Sequence, residues 1–174
     1  IKPDSYINIG KIIDYLIAKL KFENKQSPNA KIKQRVCHKT FQSKFTQAIL
    51  LRNIKILISD VVVGLEIVGE NSIQQVKRVA GPENPIQAKS EAPGSIRAIF
   101  GQDSIKNVIH VSDDAQSSQN ERDIFFGEKA RLNCTSALLS NCTLCLIKPH
   151  ILLNGQTGKI IDKILEEGFE ISSM

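Results

Sequence analysis

One run of residues occurs twice in this 174-residue chain, and that repetition restricts its folding more than any other feature. Residues 1–14 read IKPDSYINIGKIID and residues 147–162 read IKPHILLNGQTGKIID. Each copy has Ile-Lys-Pro, a polar turn, and Gly-Lys-Ile-Ile-Asp opening a helix-like pattern, with a longer turn in the second copy. A match over so many positions implies a duplicated module. The second copy holds a strand, a helix and the start of another strand, which cannot bury an apolar face unaided. Residues 139–174 are therefore expected to pack on the first copy or to belong to a longer parent chain. The opening at Ile1, without Met and directly on apolar sequence, is likewise expected of a trimmed polypeptide. The expected organisation is a first module over 1–127, a linker over 128–138, and the truncated start of a second module over 139–174.

Within the first module helical and strand periods alternate. Ile9, Ile12, Ile13, Leu16 and Leu20 fall on one helical face. Asp60 to Val68 (DVVVGLEIV) is β-branched and apolar, as a central strand requires. Ser72 to Val79 reads as a short helix with Ser72 at its N-cap. Gly81 to Gly94, with its prolines, reads as a long irregular loop. Ser95 to Phe100 suits a helical turn, Val108–Ile109 a short strand, and Ser112 to Phe126 an amphipathic helix. The basic stretch from Lys31 to Lys55 is assigned two helices.

Hydrophobic content of 41% and charged content of 24% are those of a soluble globular protein. A net charge of +5 and a pI near 9.0 suit an anionic partner such as nucleotide phosphates, nucleic acid or an acidic protein surface. The basic residues are scattered, so nucleic acid has only the pI in its favour. No stretch reaches the apolar length of a membrane span, and the first residues do not resemble a signal peptide, so no membrane partner is expected. Of Cys37, Cys134, Cys142 and Cys145, only Cys142-x-x-Cys145 is a close pair, and no second pair or spaced His completes a zinc site. Cys142 to Ile147 reads as a buried strand, which makes these structural thiols of a reducing compartment.

His110 is the first candidate for chemistry. An imidazole following a short apolar run can take a phosphoryl group, provided one nitrogen is free and an acceptor holds the other. Glu121, on the following helix, is the candidate acceptor. Phosphoryl transfer also needs fixed cations. Lys2 in Ile-Lys-Pro, Arg97 after Pro93-Gly94, and Lys77 before the proline loop are the candidates, with Asn107 able to bond a sugar hydroxyl.

Taken together, Ile1-Lys-Pro-Asp4, Gly81-Pro-Glu-Asn-Pro85, Pro93-Gly-Ser-Ile-Arg97 and Asn107-Val-Ile-His110-Val-Ser-Asp113 resemble the nucleoside diphosphate kinase family, in the family's order. The tandem start further resembles a two-module branch associated with cilia and centrosomes. The resemblance implies an α/β (α+β) fold, a four-stranded antiparallel ferredoxin-like sheet covered by helices. It implies ping-pong transfer of a γ-phosphate between nucleoside di- and triphosphates, with Mg²⁺. His110 would carry the phosphate and Glu121 would orient it. Lys2 and Asn107 would contact terminal phosphate and sugar, and Arg97 and Lys77 would hold phosphates. The branch implies a cytoplasmic, cytoskeletal location in a cilium axoneme or centrosome, with tubulin or other axonemal or centrosomal partners. An architectural role with weak or absent catalysis is the alternative.

The departures bear on catalysis. The family usually has Arg where Lys77 falls, Thr where Glu83 falls and Gly where Val111 falls. The strand after the first helix reads as shortened around Leu16 to Phe22. Phe41 and Phe45 are the candidates for stacking on the base. His150 falls where the first copy has Asp4, so it is expected to be structural or exposed rather than catalytic.

Overall fold

A computed structural model describes residues 1–23, 31–37, 60–127 and 140–172. The linker at 128–138, Cys134 and the candidate aromatics Phe41 and Phe45 lie outside them. After a 3₁₀ turn at Pro3–Asn8 come α1 (Ile9–Glu23), β1 (Lys31–Cys37), β2 (Val62–Val68) and α2 (Ser72–Ala80). Short helices α3 (Pro85–Glu91) and α4 (Ile96–Phe100) precede α5 (Ala115–Phe126), and α6 (Pro149–Leu153) and α7 (Thr157–Glu166) form the repeat segment.

β1 and β2 pair antiparallel, with Lys31 opposite Val68 and Cys37 opposite Val62. Backbone bonds carry the sheet further. Ile1 N–H donates to Val63 O at 2.7 Å and Val63 N–H to Ile1 O at 3.1 Å, the double exchange of an antiparallel pair. Lys2 N–H then reaches Val108 O at 2.7 Å. The lateral order is therefore the Val108 segment, Ile1–Lys2, β2, β1, with α1 and α2 as the crossovers. This is the β-α-β-β-α-β pattern of a ferredoxin-like sheet.

Pleating divides β2 into two faces. Val63, Leu65 and Ile67 meet the α1 side, where Ile12, Leu16 and Leu20 join Val76, Val79, Val108 and Ile109 in the larger core cluster. Val62 meets Phe125 of α5 on the other face. The α1 periodicity was legible because each fully buried aliphatic side chain contributes roughly 1.5–3 kcal/mol, and all five of its expected core positions are buried.

Several expectations are corrected. Lys31–Cys37 is a strand, not a helix, because the ladder to β2 outweighs local propensity. Leu16 to Phe22 lies within α1, so no strand is shortened there. Asn71, with φ 49°, holds the N-cap position of α2, and Ser72 is its first helical residue. The loop from Gly81 to Gly94 contains α3, whose Asn84 side chain accepts from Ile86 N–H at 2.9 Å. Val108–Ile109 makes one rung with Lys2 and then turns, rather than continuing as a strand. Cys142 and Cys145 are exposed, and residues 142–147 form no strand. Their backbone has no ladder partner among the described residues, and Leu144 and Leu146 remain exposed.

The repeat segment packs on the first copy through equivalent residues. Gly10 and Gly158 meet backbone to backbone, so closely that a Cβ on either would collide with the other's carbonyl oxygen. Asp14 Oδ1 and Oδ2 accept from Gly158 N–H at 2.7 Å and Lys159 N–H at 3.1 Å. In return Asp162 faces the Gly10 and Lys11 amides, although its buried Oδ1 meets no donor in hydrogen-bonding range among the described residues. Ile13 and Ile161, equivalent positions of the two copies, share one core cluster. Ile12 fills the first copy's own core, whereas its counterpart Ile160 is half-exposed.

Candidate functional site

The candidate residues converge on one short segment, Asn107 to His110. Val108 adopts φ 76°, rare for a β-branched residue, and Ile109 N–H closes onto Asn107 O at 2.9 Å. Such a γ-type turn is strained and persists only where its surroundings hold it. Here they do. Lys2 N–H binds Val108 O, and Asp4 Oδ2 accepts from Val108 N–H at 3.2 Å. Arg97 Nη2 donates to Ile109 O at 2.9 Å while its Nη1 donates to Gly81 O at 2.6 Å. The next residue, His110, turns its ring toward Glu121 of α5.

His110 Nε2 lies 3.0 Å from Glu121 Oε1, and Ser112 Oγ donates to Glu121 Oε2 at 2.6 Å. Both carboxylate oxygens are occupied, which fixes Glu121 and, through it, the ring. With Nε2 bearing the proton toward Glu121, Nδ1 is left with its lone pair. His110 keeps 29% side-chain exposure against 12% for Glu121, so the ring edge is accessible while its partner is screened.

Lys2 and Asn107 form the floor. Lys2 Nζ donates to Asn107 Oδ1 at 2.6 Å and to Ile105 O at 3.1 Å, and Asn107 Nδ2 donates to Glu83 O at 2.9 Å. Lys2 is 2% exposed. Burial pushes its ammonium below the ordinary lysine value, and the Asp4 carboxylate partly restores it. Arg97 is likewise buried and lowered by desolvation, with Glu83 opposing. Its Nε meets no acceptor among the described residues. A buried cation with a donor to spare suits an incoming anion.

Lys77 stands apart from this cluster. Its Nζ contacts Asp113 O at 2.9 Å and Asp113 Oδ1 at 3.2 Å on the exposed rim. Glu83 is exposed beside the buried cations, and His150 is exposed on α6. The roles of Ser112 and Asp113 were not assigned from sequence. Their only signal was the Ser-Asp following His110. A cavity of about 360 Å³ borders His110, Glu121 and Lys2, with β2, the rest of α5 and the N-terminal half of α2 among its other walls. Among the described residues no cluster of His, Cys, Asp and Glu could hold a metal ion.

Comparison with known proteins agrees with this arrangement. The nucleoside diphosphate kinase family model matches residues 1–130. A rat (Rattus norvegicus) protein named nucleoside diphosphate kinase homolog 7 is 34% identical over all of this chain, which spans 44% of that relative's length. The nucleoside diphosphate kinase of Methanocaldococcus jannaschii is 30% identical over 74% of this chain and 90% of its own. The crystal structure of the Aquifex aeolicus nucleoside diphosphate kinase superposes with a TM-score of 0.61 and 29% identity, over 77% of this chain and 94% of that one. Sheet order, the Asn107–His110 segment and these matches lead to one assignment: the chain belongs to the nucleoside diphosphate kinase family.

Proposed function

We propose that this chain binds nucleoside di- and triphosphates and transfers the γ-phosphate through a phosphohistidine at His110. The observation that carries the proposal is the His110 Nε2–Glu121 Oε1 contact of 3.0 Å, which leaves Nδ1 as the nucleophile. The Nδ1 lone pair forms the bond to the γ-phosphorus, and the bond from that phosphorus to the β–γ bridging oxygen breaks. The diphosphate leaves with both electrons of that bond. The ring, now cationic, keeps its Nε2 proton facing the Glu121 carboxylate, which offsets the charge. A terminal phosphate oxygen of the second diphosphate then attacks the same phosphorus, and the N–P bond breaks back to neutral imidazole. Lys2 and Arg97 supply the buried positive potential that this transfer requires. Asn107 would bond sugar or phosphate beside them, and Lys77 would reach a phosphate from the rim. Mg²⁺, bound to the nucleotide, would neutralise phosphate charge.

The two-copy arrangement supports a wider proposal: a tandem member of the family, in which 139–174 opens a second module. Its place would be on the cytoplasmic microtubule cytoskeleton of a cilium axoneme or centrosome, with tubulin or neighbouring axonemal proteins as partners. A catalytically weak, architectural role is the second reading. It is favoured by Lys77 being tied to Asp113 and by the Glu83 carboxylate beside the phosphate-binding cations. Incubation with γ-labelled ATP separates the two. Acid-labile label on the wild type that is absent from His110→Ala supports transfer. Equal labelling of both removes His110 from the mechanism, and no label on either leaves the architectural role.

A further inference from the structure

Gly64 is the third residue of β2, in the run Val61-Val-Val-Gly-Leu65, where a β-branched residue would be expected and glycine weakens the sheet. Glycine at such a place marks a close approach by a neighbour, and here the neighbour is a ring. A Cβ on Gly64 would lie 2.6 Å from Phe125 Cδ1 and 2.9 Å from its Cγ. On either side of this notch the same face of β2 carries Val62, which packs with Phe125, and Glu66, whose Oε1 is 3.9 Å from Arg122 Nε. Three alternate positions of β2, successive on this face, thus seat α5. Glu121 is four residues before Phe125, one helical turn away on the same face.

We infer that Gly64 is a positioning residue for His110, setting the depth of α5 on the sheet and thereby the reach of Glu121 to the imidazole. The inference rests on the proposed phosphohistidine chemistry. Carbon atoms settle at about 3.5–4.0 Å, so a methyl at position 64 requires the Phe125 ring to retreat by roughly 1 Å. Phe125 is buried against Val62, and α5 moves with it. A shift of that size carries Glu121 Oε1 from 3.0 Å to beyond hydrogen-bond range of His110 Nε2. The proton on Nε2 then loses its acceptor, the tautomer is no longer fixed, and Nδ1 loses its aim. A misplacement of about 1 Å at a reacting group typically lowers rate by about a hundredfold.

The test uses the 174-residue chain as wild type, Gly64→Ala, Phe125→Leu and the double variant. Two quantities are read: the rate of acid-labile labelling from γ-labelled ATP, and the imidazole ¹⁵N–¹H signals of His110, which report its tautomer. Gly64→Ala is expected to label about ten- to a hundredfold more slowly and to lose the Nε2–H signature. The double variant, with a smaller side chain facing the new methyl, is expected to recover both. Wild-type labelling and spectrum in Gly64→Ala overturn the inference, because they mean the ring rotated without moving α5. If Gly64→Ala does not fold, the double variant decides: recovery of fold and labelling supports the inference, and failure of either overturns it. If the wild type takes no label, the phosphohistidine reading fails separately. The His110 spectrum then decides alone, with its loss in Gly64→Ala and return in the double variant supporting positioning, and an unchanged spectrum overturning it.

Discussion

At Glu83 the backbone and the side chain act in opposite directions. Its carbonyl holds Asn107 Nδ2 at 2.9 Å and so helps build the floor of the site. Its carboxylate sits near enough to raise the affinity of Lys2 and Arg97 for their protons. That favours the charged form of both cations and opposes an incoming phosphate. A unit charge about 5 Å from a phosphate at an effective dielectric of about 20 is worth roughly 3 kcal/mol, and exposure screens this to on the order of 1 kcal/mol. Glu83→Thr keeps the backbone carbonyl and is expected to tighten ADP binding about fivefold by titration calorimetry. Unchanged or weaker affinity places the phosphates elsewhere. The sequence pointed to His110, Glu121, Lys2, Arg97 and Asn107 because a spaced motif carries them. It did not reveal that Asn107 and Arg97 also tie down the backbone around Val108, since those bonds cross 24 and 12 residues respectively.

At the scale of elements, α3 is the instructive case. Three prolines between Gly81 and Gly94 suggest an irregular loop, yet Asn84-Pro85 is a capping residue followed by proline at the first helical position, a start signal in its own right. Asn84→Ala removes the acceptor for Ile86 N–H and is expected to destabilise the chain by about 1 kcal/mol in urea denaturation, with Asn84→Ser recovering most of it. No change would mean α3 holds without its cap. β1 was missed for a different reason. Lys31-Ile-Lys-Gln-Arg-Val-Cys37 alternates polar and apolar residues except at Gln34 and Cys37, and two interruptions in seven residues hide a period of two among helix-forming lysines. β2 and α1 were legible because their apolar patterns are long. The exposed stretch 142–147 looked like a buried strand on composition alone, but a strand is buried only where a ladder partner covers it.

At the scale of the whole molecule, the contact between α1 and α7 has a pH dependence of its own. Burial pushes the Asp162 carboxyl above its ordinary value of 3.8, with Lys11 and the Gly10 and Lys11 amides pulling it down and Asp14 pushing it up. Between 3.8 and the raised folded value, the folded chain binds more protons than the unfolded one. This contribution to stability therefore grows as pH falls through that window and is lost as pH rises above it. Comparing thermal midpoints of wild type and Asp162→Asn isolates it from the other carboxylates. The wild type is expected to gain on the Asn variant as pH falls from neutrality towards 3.8, and a constant difference would mean that Asp162 is solvated. The meeting of Gly10 with Gly158, and of Asp14 with the opening of α7, has a further consequence. Like halves joined this way cannot tell their own tether from a stranger's. What keeps the joint within one chain is local concentration, on the order of millimolar for a short tether. A crowded assembly that brings many copies together at that concentration would let neighbouring chains exchange these halves and link up end to end, with no new surface.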